Sequence, residues 1–586
     1  MSVLVLASLL VFAFGAGRLV LRGLGGGSEP IGESRALAMA AGLGLIGVLL
    51  GILAVAGQLS WARWIIPAGA MLTAAAHAGR IRSWRPTRVP APDASAVLVI
   101  AMIVTAALGA LVPTTEFDSL AYPIPITQHL AVDNAWRFWP DQVRSVFPLS
   151  QELLMVPLLL ADSRALGLVS AAALAIGAFL IVALARRVCR HRDAPWMAAI
   201  IALGCPAVAF LAASAKEDLL LIVMTTAAAV SLVSAPSAAT AARVGLFAGF
   251  AMGTKLTGAP IALAMIACVP FCCGRTRPLG HLGLAALVAV LAGGVWPAVN
   301  FARFGNPLPL VSLGPWFSAP LLAPDVMTDW ANGFGAGRGV LEAVLAPLRL
   351  ATGSDLFGGR GNWINPLAFL GIAAALVRGL RRESWILVAI AAAAYLAWFA
   401  GIQVARLLLP ALVLLSLPAA DLLAWTRDRS RLARGATAVA LVLSAGVVIS
   451  VGVIRLERFA IDPVGFIARE TPHYDGIAWL NTHLDPATDR VASSFEANGY
   501  LRIPWFTLNA TYQIAIGPDE LADPARLRAA LERERVTHLF GSPDAFKDLA
   551  GSLELVYENP TSRVGGSSFF RAPRTEPAVI YRLRPR

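Results

Sequence analysis

The stretch SAVLVIAMIVTAALGALVPTTEFDSLAYP, residues 95–123, is an apolar run that ends on two carboxylates, Glu116 and Asp118, followed by Tyr122 and Pro123. A helix needs about 20 mostly apolar residues to cross the hydrocarbon core, so residues 95–113 read as a membrane span and the two acids stand where the chain leaves lipid. Similar runs lie at 2–17, 36–57, 60–79, 164–185, 194–212, 218–235, 280–300, 363–379, 384–402, 406–425 and 435–454. The mean hydropathy of +0.68 and a charged fraction of 14% leave too few charges to build a soluble surface. Beyond residue 454 the chain turns charged and ordinary in polarity. The expected architecture is therefore an all-α polytopic transmembrane domain over 1–454, with about 12–14 membrane helices, followed by a small soluble α/β domain over 455–586. Met1–Gly17 lacks a basic leading segment and a cleavage site, and reads as a first membrane helix.

Arginines orient the spans. Arg18/Arg22, Arg80/Arg82/Arg85/Arg88, Arg186/Arg187/Arg190/Arg192, Arg275/Arg277, Arg378/Arg381/Arg382 and Arg427/Arg429/Arg431/Arg434 alternate onto one side, which the positive-inside rule makes cytoplasmic. Segment 243–273 begins and ends on that side, so it must be a hairpin or pair of short helices with Gly253-Thr254-Lys255 at its inner turn. The loops 114–163 and 301–362, the turn at Lys216–Asp218 and the tail then lie outside, in a multi-pass protein of the inner (plasma) membrane with an extracytoplasmic C-terminal domain. Segment 149–161 is too short to span and is expected at the interface or re-entering the membrane. In the tail, helices are expected at 473–484 and 518–534, and strands at 490–495, 537–541, 553–557 and 577–583.

Several function classes drop out. The net charge of +12 is carried by arginine clusters between apolar runs, which is a topology signal and not a nucleic-acid stripe. Cys189, Cys205, Cys268, Cys272 and Cys273 all lie in or beside apolar runs, with no disulfide framework and no metal spacing. The histidines form no ligand cluster. No Walker A motif, nucleotide-binding glycine loop or nucleophile elbow is present.

The charges that remain are candidates for chemistry. Glu116 and Asp118 suit a general base in a partly dehydrated cleft, or simply mark the helix exit. Arg137, Arg144 and Glu152 are solvated loop charges or contacts to a phosphate or sugar. Lys216-Glu217-Asp218 is a charged hairpin turn. Lys255 lies inside an apolar stretch, where a lysine is costly unless it is paired or faces a wet cavity. Arg303 and Arg406 meet a lipid phosphate or snorkel to headgroups.

At Phe117-Asp118-Ser119-Leu120-Ala121-Tyr122, Lys216-Glu217-Asp218-Leu219-Leu220, Gly253-Thr254-Lys255-Leu256-Thr257, Arg303-Phe304-Gly305-Asn306-Pro307 and Arg406-Leu407-Leu408-Leu409-Pro410, the chain resembles the GT-C glycosyltransferases, in particular the protein O-mannosyltransferase and aminoarabinose-transferase clan. The likeness covers about residues 95–425. It implies transfer of a sugar from a polyprenyl phosphate to an acceptor hydroxyl of a protein, lipid or glycan, with inversion, on the outer face of the membrane. It also implies Asp118 as general base with Glu116 as rival, and Lys255, Arg303, Arg406 and Lys216 as donor-phosphate ligands. Tyr122, Arg137, Glu152 and Asp218 are the expected substrate contacts. Three candidate helices precede the one entering the first loop, where the family usually has one. Pro123 stands where many relatives carry His, so no metal and no other cofactor is expected, a divalent ion being left open. The alternatives are a lipid or polysaccharide transporter or flippase, against which no internal repeat is visible, and a non-catalytic envelope-assembly scaffold.

Overall fold

The structure, a computed structural model, describes residues 1–25, 31–82, 93–273, 277–318, 320–322, 324–353, 355–564 and 574–584. Arg85, Arg88 and Arg275 of the arginine clusters lie outside the described residues.

Among the described residues, six helices are long and apolar enough to cross a bilayer, Ser2–Gly23, Gly32–Val55, Leu168–Val188, Arg382–Ala400, Ala405–Arg429 and Arg431–Ile461, and the pair Pro278–Gly293 and Val295–Phe304 makes a seventh if it is counted as one span. The run 60–79 forms the 21-residue helix Ala62–Arg82, and the other apolar runs form shorter or interrupted helices, so the chain is a multi-pass membrane protein built partly from broken spans. Two expected spans break for local reasons. The run 194–212 divides into Ala194–Leu203 and Pro206–Leu211, because Pro206 has no N–H to continue the first helix. The run 280–300 bends by 67° at Gly294, ahead of Pro297. The last membrane helix continues past residue 454 to Ile461.

The arginine-bearing ends converge. Arg187 pairs with Glu33, Arg427 with Asp193, and the backbone N–H groups of Arg190 and His191 donate to Asp421 at 2.9 and 2.7 Å. Arg382 donates to the Phe271 carbonyl at 2.6 Å. The loop after residue 113, the Lys216 turn and Arg406 meet one another through Ser119 and Asp118.

Segment 243–273 is the expected pair of helices, Ala238–Thr254 and Ala259–Cys272, joined through Lys255. Small residues set its position. Gly245, Gly249 and Gly253 recur every four residues and face Ala285, Ala289 and Gly293 of the helix Pro278–Gly293. A Cβ on Gly249 would come within 2.4 Å of the Ala289 carbonyl oxygen, so the backbones touch and only glycine fits. Segment 149–161 becomes the helix Ser150–Leu159, buried inside the protein, where Ser150 Oγ donates to the Gly253 carbonyl at 2.6 Å.

The C-terminal domain carries helices Tyr474–His483, Pro518–Ala522 and Pro524–Arg533 and a five-stranded sheet: β1 Val491–Ser493, β2 Trp505–Thr507, β3 His538–Gly541, β4 Leu553–Val564 and β5 Arg574–Leu583, in the order β2-β1-β3-β5-β4. β1 pairs in parallel with both β2 and β3, whereas β5 is antiparallel to β3 and β4. The short strand β2 is absent from the sequence expectation, since three residues after Pro504 carry no readable alternation.

Candidate active site

Asp118 lies on the five-residue helix Phe117–Ala121, which Glu116 caps. One Glu116 oxygen accepts the Asp118 N–H at 3.2 Å, and the other accepts the Ser119 N–H at 2.7 Å and the Ser119 hydroxyl at 2.6 Å. Ser119 Oγ in turn accepts the Ala215 N–H at 3.0 Å, which ties this helix to the Lys216 turn. A carboxylate at an N-cap satisfies orphan N–H donors, so Glu116 is occupied in holding the loop in shape, whereas the Asp118 carboxylate is not used as a cap.

The Oδ2 atom of Asp118 receives both Lys216 Nζ and, at 2.6 Å, Arg406 Nη2. Lys216 is 1% exposed, and Tyr122 lies 5.7 Å away over its ammonium. Burial alone would raise the Asp118 carboxyl, but Lys216 and Arg406 outweigh it and hold Asp118 well below the usual carboxylate range. Lys255 is paired as well, 2.9 Å from Glu217 and 2.8 Å from Asp218. These pairs explain how so many charges survive at this depth.

A cavity of about 590 Å³ opens over this cluster. Glu116, Asp118, Tyr122, Glu152, Lys255 and Arg406 all line it. Lys216 and Asp218 sit behind the wall and act on it through Asp118 and Lys255. Arg303 and Arg137 are not in the lining. The Arg303 guanidinium rests about 6.0 Å from the centroids of Trp136 and Phe138 and 5.9 Å from Phe304, and Arg137 is exposed. Arg303 ends the helix Val295–Phe304 and Arg137 lies on the irregular loop after residue 133, and neither enters the cavity.

The neighbouring arginine, Arg144, does line the cavity. Its guanidinium lies 3.9 Å from the Tyr512 ring centroid, 4.6 Å from Tyr122 and 5.6 Å from Trp330. Among the described residues it forms no ion pair with a carboxylate, which sets it apart from Lys216, Lys255 and Arg406. A stacked guanidinium keeps its planar fork of N–H donors for an incoming anion. Glu217 also lines the cavity, and so do Glu496, Asn509, Thr511 and Tyr512 of the C-terminal domain. Sequence reasoning finds nothing catalytic in that domain and leaves acceptor recognition, a lid over the site and a structural cap open as its role. Among the described residues no group of three or more His, Cys, Asp or Glu is arranged to hold a metal ion.

The fold has solved counterparts. ArnT from Cupriavidus metallidurans bound to undecaprenyl phosphate superimposes with a TM-score of 0.53 at 15% identity, covering 83% of this chain and 97% of that one. The chain has the GT-C fold. The apo state of the same ArnT gives a TM-score of 0.54 at 14% identity with the same coverage. The oligosaccharyltransferase of Archaeoglobus fulgidus, in complex with zinc and sulfate, gives 0.48 at 13% identity over 76% of this chain and 68% of that chain. No family model matches the sequence, and no curated protein matches it. The GT-C likeness read from the sequence motifs therefore holds at the level of the fold.

Proposed function

We propose that this protein is a membrane glycosyltransferase that moves a sugar from a polyprenyl-phosphate donor to an acceptor hydroxyl, with inversion, at the extracytoplasmic face. The observation that carries the reading is the convergence of Asp118 with Arg406, Lys255 and Arg144, which forms no carboxylate ion pair among the described residues, around one cavity in a GT-C fold. The ArnT structure bound to undecaprenyl phosphate supports a lipid-phosphate donor.

The charge arrangement suggests how the step runs. The donor phosphate meets Arg144 first, because that cation has no carboxylate to give up. Arg406 and Lys255 stand within the same cavity and can transfer part of their pairing from Asp118 and Asp218 to the phosphate. Loss of Arg406 from Asp118 raises the proton affinity of that carboxylate, which then accepts the acceptor's proton. The acceptor oxygen bonds to the anomeric carbon, the bond from that carbon to the phosphate oxygen breaks, and the electron pair leaves on the lipid phosphate. The cations stabilise that growing charge where water is scarce. Glu116 is occupied as a cap, which leaves Asp118 as the base on this helix, and a single direct displacement at the anomeric carbon proceeds with inversion.

The test is sugar transfer by purified, reconstituted protein with undecaprenyl-phosphate sugars and candidate acceptors. Transfer that disappears in Asp118→Asn supports the reading. Transfer unchanged in that variant removes Asp118, and substrate flux across liposomes without any transfer favours a transporter.

A further inference from the structure

The C-terminal domain is fastened to the first outer loop along one edge. Val143 N–H donates to the Tyr512 carbonyl and Ile514 N–H to the Pro140 carbonyl, both at 2.7 Å. The Tyr500 hydroxyl donates to the Thr114 carbonyl at 2.7 Å, and Gln128 Nε2 to the Gly499 carbonyl at 3.1 Å. The chain pinned by these bonds follows β1 and β2. These two strands are parallel and adjacent, so both deliver their following loops to the same edge of the sheet. Outside the carboxyl ends of parallel strands is where such sheets place ligands.

Those loops bring Glu496 and Asn509 into the lining of the cavity that Asp118 and Arg144 also line. Asn509 Nδ2 donates to Glu496 Oε1 at 2.9 Å. Asn509 Oδ1 is filled by the Thr511 N–H at 2.9 Å and the Thr511 hydroxyl at 2.8 Å, which fixes the amide's orientation. Glu496 has no ion-pair partner among the described residues, although Arg144, Lys255 and Arg406 line the same cavity. A carboxylate oxygen and a second amide hydrogen remain, side by side on one rigid edge. An acceptor and a donor at that spacing match adjacent hydroxyls on a sugar ring.

We infer that Glu496 and Asn509 bind hydroxyl groups of the donor's sugar, so that the C-terminal domain selects which sugar is transferred. The inference rests on the donor reading given above: with the phosphate on Arg144 and Asp118 as the base, the ring between them occupies the cavity that this edge lines. The membrane domain then recognises the lipid phosphate, and the soluble domain recognises the sugar.

The experiment uses the full chain in nanodiscs and measures dissociation constants for bare undecaprenyl phosphate and for undecaprenyl phosphate carrying glucose, mannose, galactose or arabinose. Wild type binds at least one glycosylated carrier more tightly than the bare lipid. Glu496→Ala and Asn509→Ala bind the bare lipid within about twofold of wild type, while the preference for the glycosylated carrier falls by about tenfold or more. The inference is overturned if the variants keep the preference, if they lose both lipids equally, or if wild type prefers none of the four. Wild type that fails to bind even bare undecaprenyl phosphate instead removes the donor reading, and this inference with it.

Discussion

The Arg144 guanidinium sits 3.9 Å from the Tyr512 ring centroid, so a loop of the membrane domain and the turn after β2 of the C-terminal domain meet at a single cation. Arg144→Lys keeps the charge but removes the planar fork and the stack. Affinity for undecaprenyl phosphate, measured in nanodiscs, falls by about tenfold or more. Arg137→Ala and Arg303→Ala stay within about twofold of wild type, because neither side chain lines the cavity.

Asp118 and Lys216 are coupled in stability as well as in chemistry. Asp118→Leu leaves a lysine that is 1% exposed with its carboxylate gone, at a cost of about 3–5 kcal/mol. Removing both charges in Asp118→Leu/Lys216→Met recovers much of that loss, as denaturant unfolding of the single and double variants in detergent will show. Asp118→Asn, which retains shape, lowers transfer by about 10²–10⁴-fold.

Gly249→Leu tests the placement of Lys255. The side chain has no room against the Ala289 carbonyl, so the two helices separate and stability drops by about 1–3 kcal/mol. Lys255 moves with the end of its helix, so transfer falls further than the loss of folded protein explains. Thermal unfolding and specific activity per folded molecule measure the two effects separately.

In the C-terminal domain, His473 stacks on Phe495 with ring centroids 3.6 Å apart and is 4% exposed. Burial lowers its imidazole to about 4, against the pull of Asp475. The unfolded chain therefore binds the proton that the folded chain refuses between pH 6.5 and about 4. The domain loses stability as pH falls through that window, by about 3 kcal/mol in full, and the loss levels off below it. Hydrogen exchange of the sheet at pH 7 and pH 5 reports the change, and His473→Phe flattens it.

Much of this molecule is legible in the sequence because bilayer thickness and arginine placement are strong, local signals. The pairing of acids with a helix exit at Thr115–Pro123, the inner turn at Lys255 and four of the five strands follow from patterns a few residues long. Arg144 was not separable from Arg137, since an irregular loop has no periodicity to fix which side chain turns inward. Glu217 read as an ordinary charged turn until Lys255 was found beside it. The breaks at Pro206 and Gly294 were masked by the hydropathy of the runs that contain them. Tyr512, Glu496 and Asn509 enter the site through docking between domains distant in sequence, for which a single sequence carries no signal.

The most direct measurement is a cryo-EM structure of the full chain in nanodiscs with undecaprenyl phosphate. The account predicts phosphate density in the cavity beside Asp118, with Arg144 and Arg406 nitrogens at about 2.7–2.9 Å from its oxygens. Phosphate density at the end of the bundle that carries Arg187, Arg382 and Arg427, or on the outer surface at Arg303 with the cavity empty, would contradict it.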